Sequence, residues 1–122
     1  MSTYVPIQTE SLSSNKPPFF NGTNYSYWKV RMTIFIQSRS YLLWKVIMDG
    51  PTMPKKMVDG VEVDKPEREW REDDFKLIEI NQQATNLLYC ALDSNEFHRI
   101  SCCSSAKEIW DMLEVTHLGI DK

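Results

Sequence analysis

The chain has 122 residues, enough for one compact core and not for two. Apolar residues make up 42% and charged residues 25%, and 4 Trp, 5 Tyr and 5 Phe supply the large side chains of a globular interior, which excludes a chain disordered throughout. No stretch approaches the ~18 uninterrupted apolar residues of a membrane span, and Met1 to Glu10 lacks the basic start and apolar run of a signal peptide. The expectation is a soluble, cytoplasmic protein that makes no membrane contact. The net charge of −3 conceals an asymmetry: residues 1–60 carry 7 Lys/Arg against 3 Asp/Glu, and residues 61–122 carry 7 against 14. A front at +4 and a back at −7 can favour head-to-tail contact between copies, and they can equally be solvated faces with no partner.

Residues 1–18 are rich in Ser, Thr, Asn and Pro and end in Lys16-Pro17-Pro18, which reads as a flexible arm. The remainder, 19–122, reads as one helical domain. Phe19-Phe20-Asn21-Gly22-Thr23 is an Asn-Gly turn carrying two aromatics. From Asn24 the spacing of Tyr25, Trp28, Met32 and Phe35 places four large side chains on one face and predicts a helix over about 24–38. Ser38 to Ser40 interrupts it. Tyr41-Leu42-Leu43-Trp44-Lys45-Val46-Ile47 then predicts a short helix covered on most sides, stopped by Asp49-Gly50-Pro51. In the connector 51–65, Asp59-Gly60 between short β-branched runs reads as a small β-hairpin or as a mobile loop.

Asp64-Lys65-Pro66-Glu67 has the acceptors and early proline of a helix start, and it predicts a long helix to about Leu92. Trp70, Leu77, Ile80, Ala84, Leu88 and Ala91 form its inner face, and Glu72, Asp73, Lys76, Glu79, Gln83 and Asn86 its outer one. Two further capping signatures, Asp93-Ser94-Asn95-Glu96 and Ser105-Ala106-Lys107-Glu108, predict a short helix and a last helix ending near Leu118-Gly119. The fold class is therefore all-α, a compact bundle of about five helices.

Catalysis has little to work with. His98 and His117 are the only imidazoles, and no nucleophile elbow, H-E-x-x-H pair or Gly-rich phosphate loop is present. Pairing His98 with Cys102 or Cys103 as base and nucleophile rests on sequence proximity, which is a poor guide to such pairs. Cys90, His98, Cys102 and Cys103 are donors that zinc accepts, but no C-x2-C clip organises them. The plainer reading is a buried Cys90, partly exposed thiols at Cys102-Cys103, and no metal or cofactor. Lys29, Arg31, Arg39 and Lys45 interleave with Tyr27, Trp28, Tyr41 and Trp44 in a way that suits nucleic acid. A pI near 5.4 argues against a phosphate-binding face, and packing accounts for Trp28, Trp44, Trp70 and Trp110.

The stretch Phe20-Asn21-Gly22-Thr23-Asn24-Tyr25, followed by Trp28, Met32 and Leu43-Trp44, resembles the opening of the gag polypeptide of copia-type LTR retrotransposons of plants. Ser105-Ala106-Lys107-Glu108-Ile109-Trp110-Asp111-Met112-Leu113, with His117 and Gly119 after it, is similar to that family's second signature, an A-K-E-x-W-D-x-L helix. The motif residues Phe20, Gly22, Tyr25, Trp28, Met32, Leu43, Trp44, Ile109, Trp110 and Leu113 are expected in the core. The resemblance implies a helical N-terminal capsid domain whose copies assemble around the element's RNA, with no enzymatic activity. Such polypeptides usually continue into more capsid helices and often an RNA-binding zinc knuckle. This sequence stops at Ile120-Asp121-Lys122, which suggests a truncated gag, a domesticated gene or an incomplete gene model. Lys29, Arg31, Arg39, Lys45, Glu69, Glu72, Asp73 and Glu79 are the expected contact surface, for other copies or, if the chain is instead a cellular adaptor, for nucleic acid or another protein.

Overall fold

The computed structural model describes residues 16–119, so most of the expected arm, 1–15, and the last residues, 120–122, lie outside the described residues. Among the described residues, five α-helices and one two-stranded hairpin follow in the order α1 (Tyr25–Arg39), α2 (Tyr41–Asp49), β1 (Lys55–Val58), β2 (Val61–Asp64), α3 (Glu72–Cys90), α4 (Ser94–Ile100) and α5 (Ala106–Leu118). The all-helical bundle expected from the sequence is the fold, with the small hairpin present.

Ser40 joins α1 to α2 without a loop. Its extended backbone ends the first helix, and its hydroxyl accepts the Leu43 N–H (3.3 Å) at the start of the second. Gly50, at φ +99°, ends α2, and Pro51 follows where helix cannot continue. Asp59 and Gly60, both at positive φ, make the tight turn between β1 and β2, which pair antiparallel with Lys55 opposite Asp64 and Val58 opposite Val61. The hairpin prevails over a loose loop because its base is tied down. Lys65 N–H bonds to the Pro54 carbonyl (3.0 Å), and Lys56 Nζ reaches Glu69 at 2.7 Å. Asn81 of α3 holds the connector through the Thr52 carbonyl (3.1 Å).

The long helix begins later than its sequence signature suggested. Asp64 closes β2 in an ion pair with Lys55, and Glu67–Glu69 forms a single 3₁₀ turn. The helix starts at Glu72, where the Asp74 carboxylate accepts the Arg71 N–H (2.9 Å) and Glu72, Asp73 and Asp74 sit at its positive end. Trp70 is consequently not on the helix. Its Nε1 donates to the Lys65 carbonyl (3.0 Å), and its ring meets Phe75 edge-on at 5.5 Å. The two later caps form as expected: Asp93 accepts from Glu96 N–H (2.9 Å) and Ser105 from Glu108 N–H (3.2 Å).

The helix α2 lies at the centre, against α1, α3 and α5, while α3 also packs on α5 and α4 on α5. The buried core draws Tyr25, Trp28, Met32 and Ile36 from α1, Leu43, Val46 and Ile47 from α2, Ala84 and Leu88 from α3, Ile100 from α4, and Ala106, Ile109, Trp110 and Leu113 from α5. Three details differ from expectation. Ile36 takes the deep position and Phe35 is half-buried, because the core stripe turns with the true helical period. Only part of α2 is covered, since Tyr41 and Leu42 face solvent. Cys90 is exposed, sharing with Asn86 the outer side of α3's last turn. No helix among the described residues is long and apolar enough to cross a membrane.

Candidate functional site: an aromatic core with a polar key

The two motifs, about 80 residues apart in sequence, fold into one cluster. Phe20 is fixed by its backbone: its N–H donates to the Ala91 carbonyl (2.7 Å), and its carbonyl accepts from Asp93 N–H (3.1 Å). Its ring stacks on Trp28 (5.0 Å between centroids) and meets His117 edge-on (4.8 Å). Tyr25 stacks on His117 (5.6 Å) and meets Phe20 edge-on (5.7 Å), so the three rings pack as a triangle. Trp28 continues to Trp110 (5.8 Å), and Trp110 to Trp44 (5.5 Å, perpendicular). Edge and offset geometries of this kind add to the burial of the rings themselves. The Trp28 Nε1 donates to the Pro18 carbonyl (2.8 Å), which attaches the end of the expected arm to the core.

The turn before α1 is built from its own side chains. Asn21 Oδ1 accepts from both the N–H (3.1 Å) and the hydroxyl (2.8 Å) of Thr23. Gly22 has φ +98°, and a Cβ there would lie 3.0 Å from Glu96 Oε2. Glu96 is 3% exposed, the one charged side chain in the buried set. It is compensated by His117 Nε2 at 2.7 Å and by Arg99 Nε at 3.6 Å. This key, with Glu96 from α4, His117 from α5 and Gly22 from the turn, escapes sequence reading. Glu96 sits where a capping glutamate is expected, but its carboxylate points to a histidine 21 residues on. The signal available was a histidine following the second signature.

The motif residues Phe20, Tyr25, Trp28, Met32, Leu43, Ile109, Trp110 and Leu113 are all buried, and Trp44 is half-buried against them. The Tyr25 hydroxyl is buried with no hydrogen-bond partner among the described residues. Burial first, and then the nearby Glu114 and Asp111 carboxylates, push its phenol well above the usual range, so it stays protonated.

The charged candidates behave differently from one another. Lys29 pairs with Glu114 (3.1 Å), Lys45 with Asp49 (3.2 Å) and Glu69 with Lys56 (2.7 Å), so three of them are engaged within the chain. Arg31 lies over the Tyr27 ring (5.5 Å) and Arg39 over Phe35 (5.6 Å). Glu72, Asp73 and Glu79 are exposed. The pairing of His98 with a cysteine gains no support. His98 is exposed, and burial, followed by the neighbouring Cys102 and Glu108, raises the Cys103 thiol, the reverse of an activated nucleophile.

The two sequence signatures of this helical domain converge on one internal aromatic cluster. The model of the family described as gag-polypeptide of LTR copia-type matches residues 34–122, and the chain belongs to this family. No curated protein and no solved structure matches it. The matched stretch contains the second signature and Trp44, while Phe20 to Met32 precedes it. Those earlier residues are physically inseparable from it, because Trp28 and Tyr25 rest on Trp110 and His117.

Proposed function

We propose that this domain is a non-enzymatic structural unit of a retrotransposon gag, whose copies associate with one another in a capsid-like shell in the cytoplasm. The observation that carries this reading is the family match across α2 to α5, the helices that enclose the core. A shell requires a rigid unit that can be repeated, and the interlocked aromatic cluster provides rigidity. In this reading RNA is held by other parts of a gag polypeptide, since this domain is acidic overall. With Lys29, Lys45 and Glu69 paired internally, Arg31, Arg39, Glu72, Asp73 and Glu79 are the expected contact charges left to meet another copy. Those exposed groups orient the approach of one copy to another more than they hold it.

Electron microscopy of the purified protein at rising concentration tests the proposal. The expected result is rings, sheets or closed particles that increase with concentration. Dispersed single domains at every concentration would remove self-association as the role of this domain.

A further inference from the structure

The helix α1 is apolar on two sides. Tyr25, Trp28, Met32 and Ile36 line the buried side, while Tyr27, Val30 and Ile34 form a stripe on the opposite side, each about 60% exposed. That outer stripe spans about 10 Å along the helix, on successive turns where a surface helix ordinarily carries charge. At its edge Arg31 is held over the Tyr27 ring, and Arg31 makes no salt bridge among the described residues. A protruding apolar stripe with a cation at its edge marks a contact surface.

A matching recess lies on α5. Cys103, Glu108, Asp111, Met112 and Val115 line a shallow depression of about 360 Å³, on the side of the helix facing away from Ile109, Trp110 and Leu113. Its floor is apolar, and the two charges at its edge are acids. Asp111 is shared with Lys107 (3.0 Å). Glu108 has no cation partner among the described residues; the Ser104 N–H and hydroxyl bind its carboxylate and hold it below the ordinary carboxylate range, so it is charged at neutral pH.

We infer that the Tyr27-Val30-Ile34 stripe of one copy seats in the Met112-Val115 depression of the next, with Arg31 facing Glu108. The inference rests on the self-association reading and names the surfaces that carry it. Charge decides between this arrangement and its competitor: two α1 stripes meeting across a two-fold axis would bring Arg31 close to Arg31, whereas the depression offers the Glu108 carboxylate, which has no cation partner among the described residues. Stripe into depression is a heterologous contact, so each copy presents one of each and the chain of contacts continues into rings or open arrays. The stripe is far smaller than the ~800 Å² per partner of a stable interface, so each contact is weak, and both the open array and a single-contact pair form only at high protein concentration.

Two variants separate the surfaces. Ile34→Asp disables the stripe and Val115→Asp the depression, both at exposed positions, so their circular dichroism melts should match wild type. In sedimentation velocity, at a concentration where wild type assembles, each variant alone should remain monomeric, with association weakened at least about tenfold. Mixed in equal amounts they should form a two-copy species and no larger one, because the intact depression of the first accepts the intact stripe of the second. Val115→Asp dimerising alone would show stripe-to-stripe packing and overturn the inference, as would a mixture that stays monomeric. If wild type and both variants assemble alike, this contact is wrong while self-association stands; if wild type itself never assembles, self-association and this contact fall together.

Discussion

Trp110 is the joint of the aromatic cluster, and replacing it by alanine tests the core most severely. Its side chain is 2% exposed, it stands between Trp28 and Trp44, and it belongs to the helix that packs on α2, α3 and α4. Removing a buried Trp costs about 3–5 kcal/mol, from the lost transfer of the ring and the cavity left behind. A domain of this size has only about 5–15 kcal/mol in total. The two ring pairs contribute within that figure at about 0.5–1.5 kcal/mol each. For a domain of roughly 100 residues the expected fall in melting temperature is therefore at least about 12 °C. Circular dichroism melts and urea titrations measure it, with Trp70→Ala as the control. Trp70 packs on Phe75 at the hairpin base, outside the cluster, and its loss should cost under about 2 kcal/mol. A Trp110→Ala protein that melts with wild type, or a Trp70→Ala protein that loses more, would refute the assignment of the core.

Tyr25→Phe should be neutral or stabilising by up to about 1 kcal/mol, because the hydroxyl it removes is buried without a partner among the described residues; a loss of stability in a urea titration would mean the hydroxyl is bonded. Gly22→Ala should cost about 1–3 kcal/mol, since φ is +98° and the new Cβ would press on Glu96 Oε2, and an unchanged denaturation midpoint would show that the turn is not held as described. Asp74, Glu69 and Glu108 have carboxyls held below their usual range, the first two by Lys65 and Lys56 and the third by Ser104. Depressed folded-state values stabilise the fold above the unfolded pKa of about 4, and that contribution is lost as pH falls through the folded values. The melting temperature should thus decline below about pH 4, and Lys65→Met should make the decline shallower; an acid limb identical in that variant would contradict the Lys65–Asp74 assignment.

Local signals in the sequence were read correctly where one cause acts alone. Asp93 and Ser105 cap their helices, and the Tyr25-Trp28-Met32 spacing marks the inner face of α1, while Asp59-Gly60, which the sequence leaves open between hairpin and loop, turns the hairpin. Where two structures compete for one segment, the sequence misleads. Asp64-Pro66-Glu67 has a helix-start pattern, but Asp64 is taken by the hairpin, and the helix waits for Arg71 and Asp74. The Glu96–His117 key is tertiary, so neither residue signals it alone. The outer stripe of α1 was hidden for a different reason: apolar residues on both sides of one helix blur the periodicity that normally separates inside from outside.

Light scattering of the purified wild-type protein over a concentration series tests self-association most directly. The account predicts a weight-average mass that rises continuously from the 14.3 kDa of one chain past that of two, without a plateau at the dimer. A mass fixed at one chain throughout, or one that levels off at two, would contradict it.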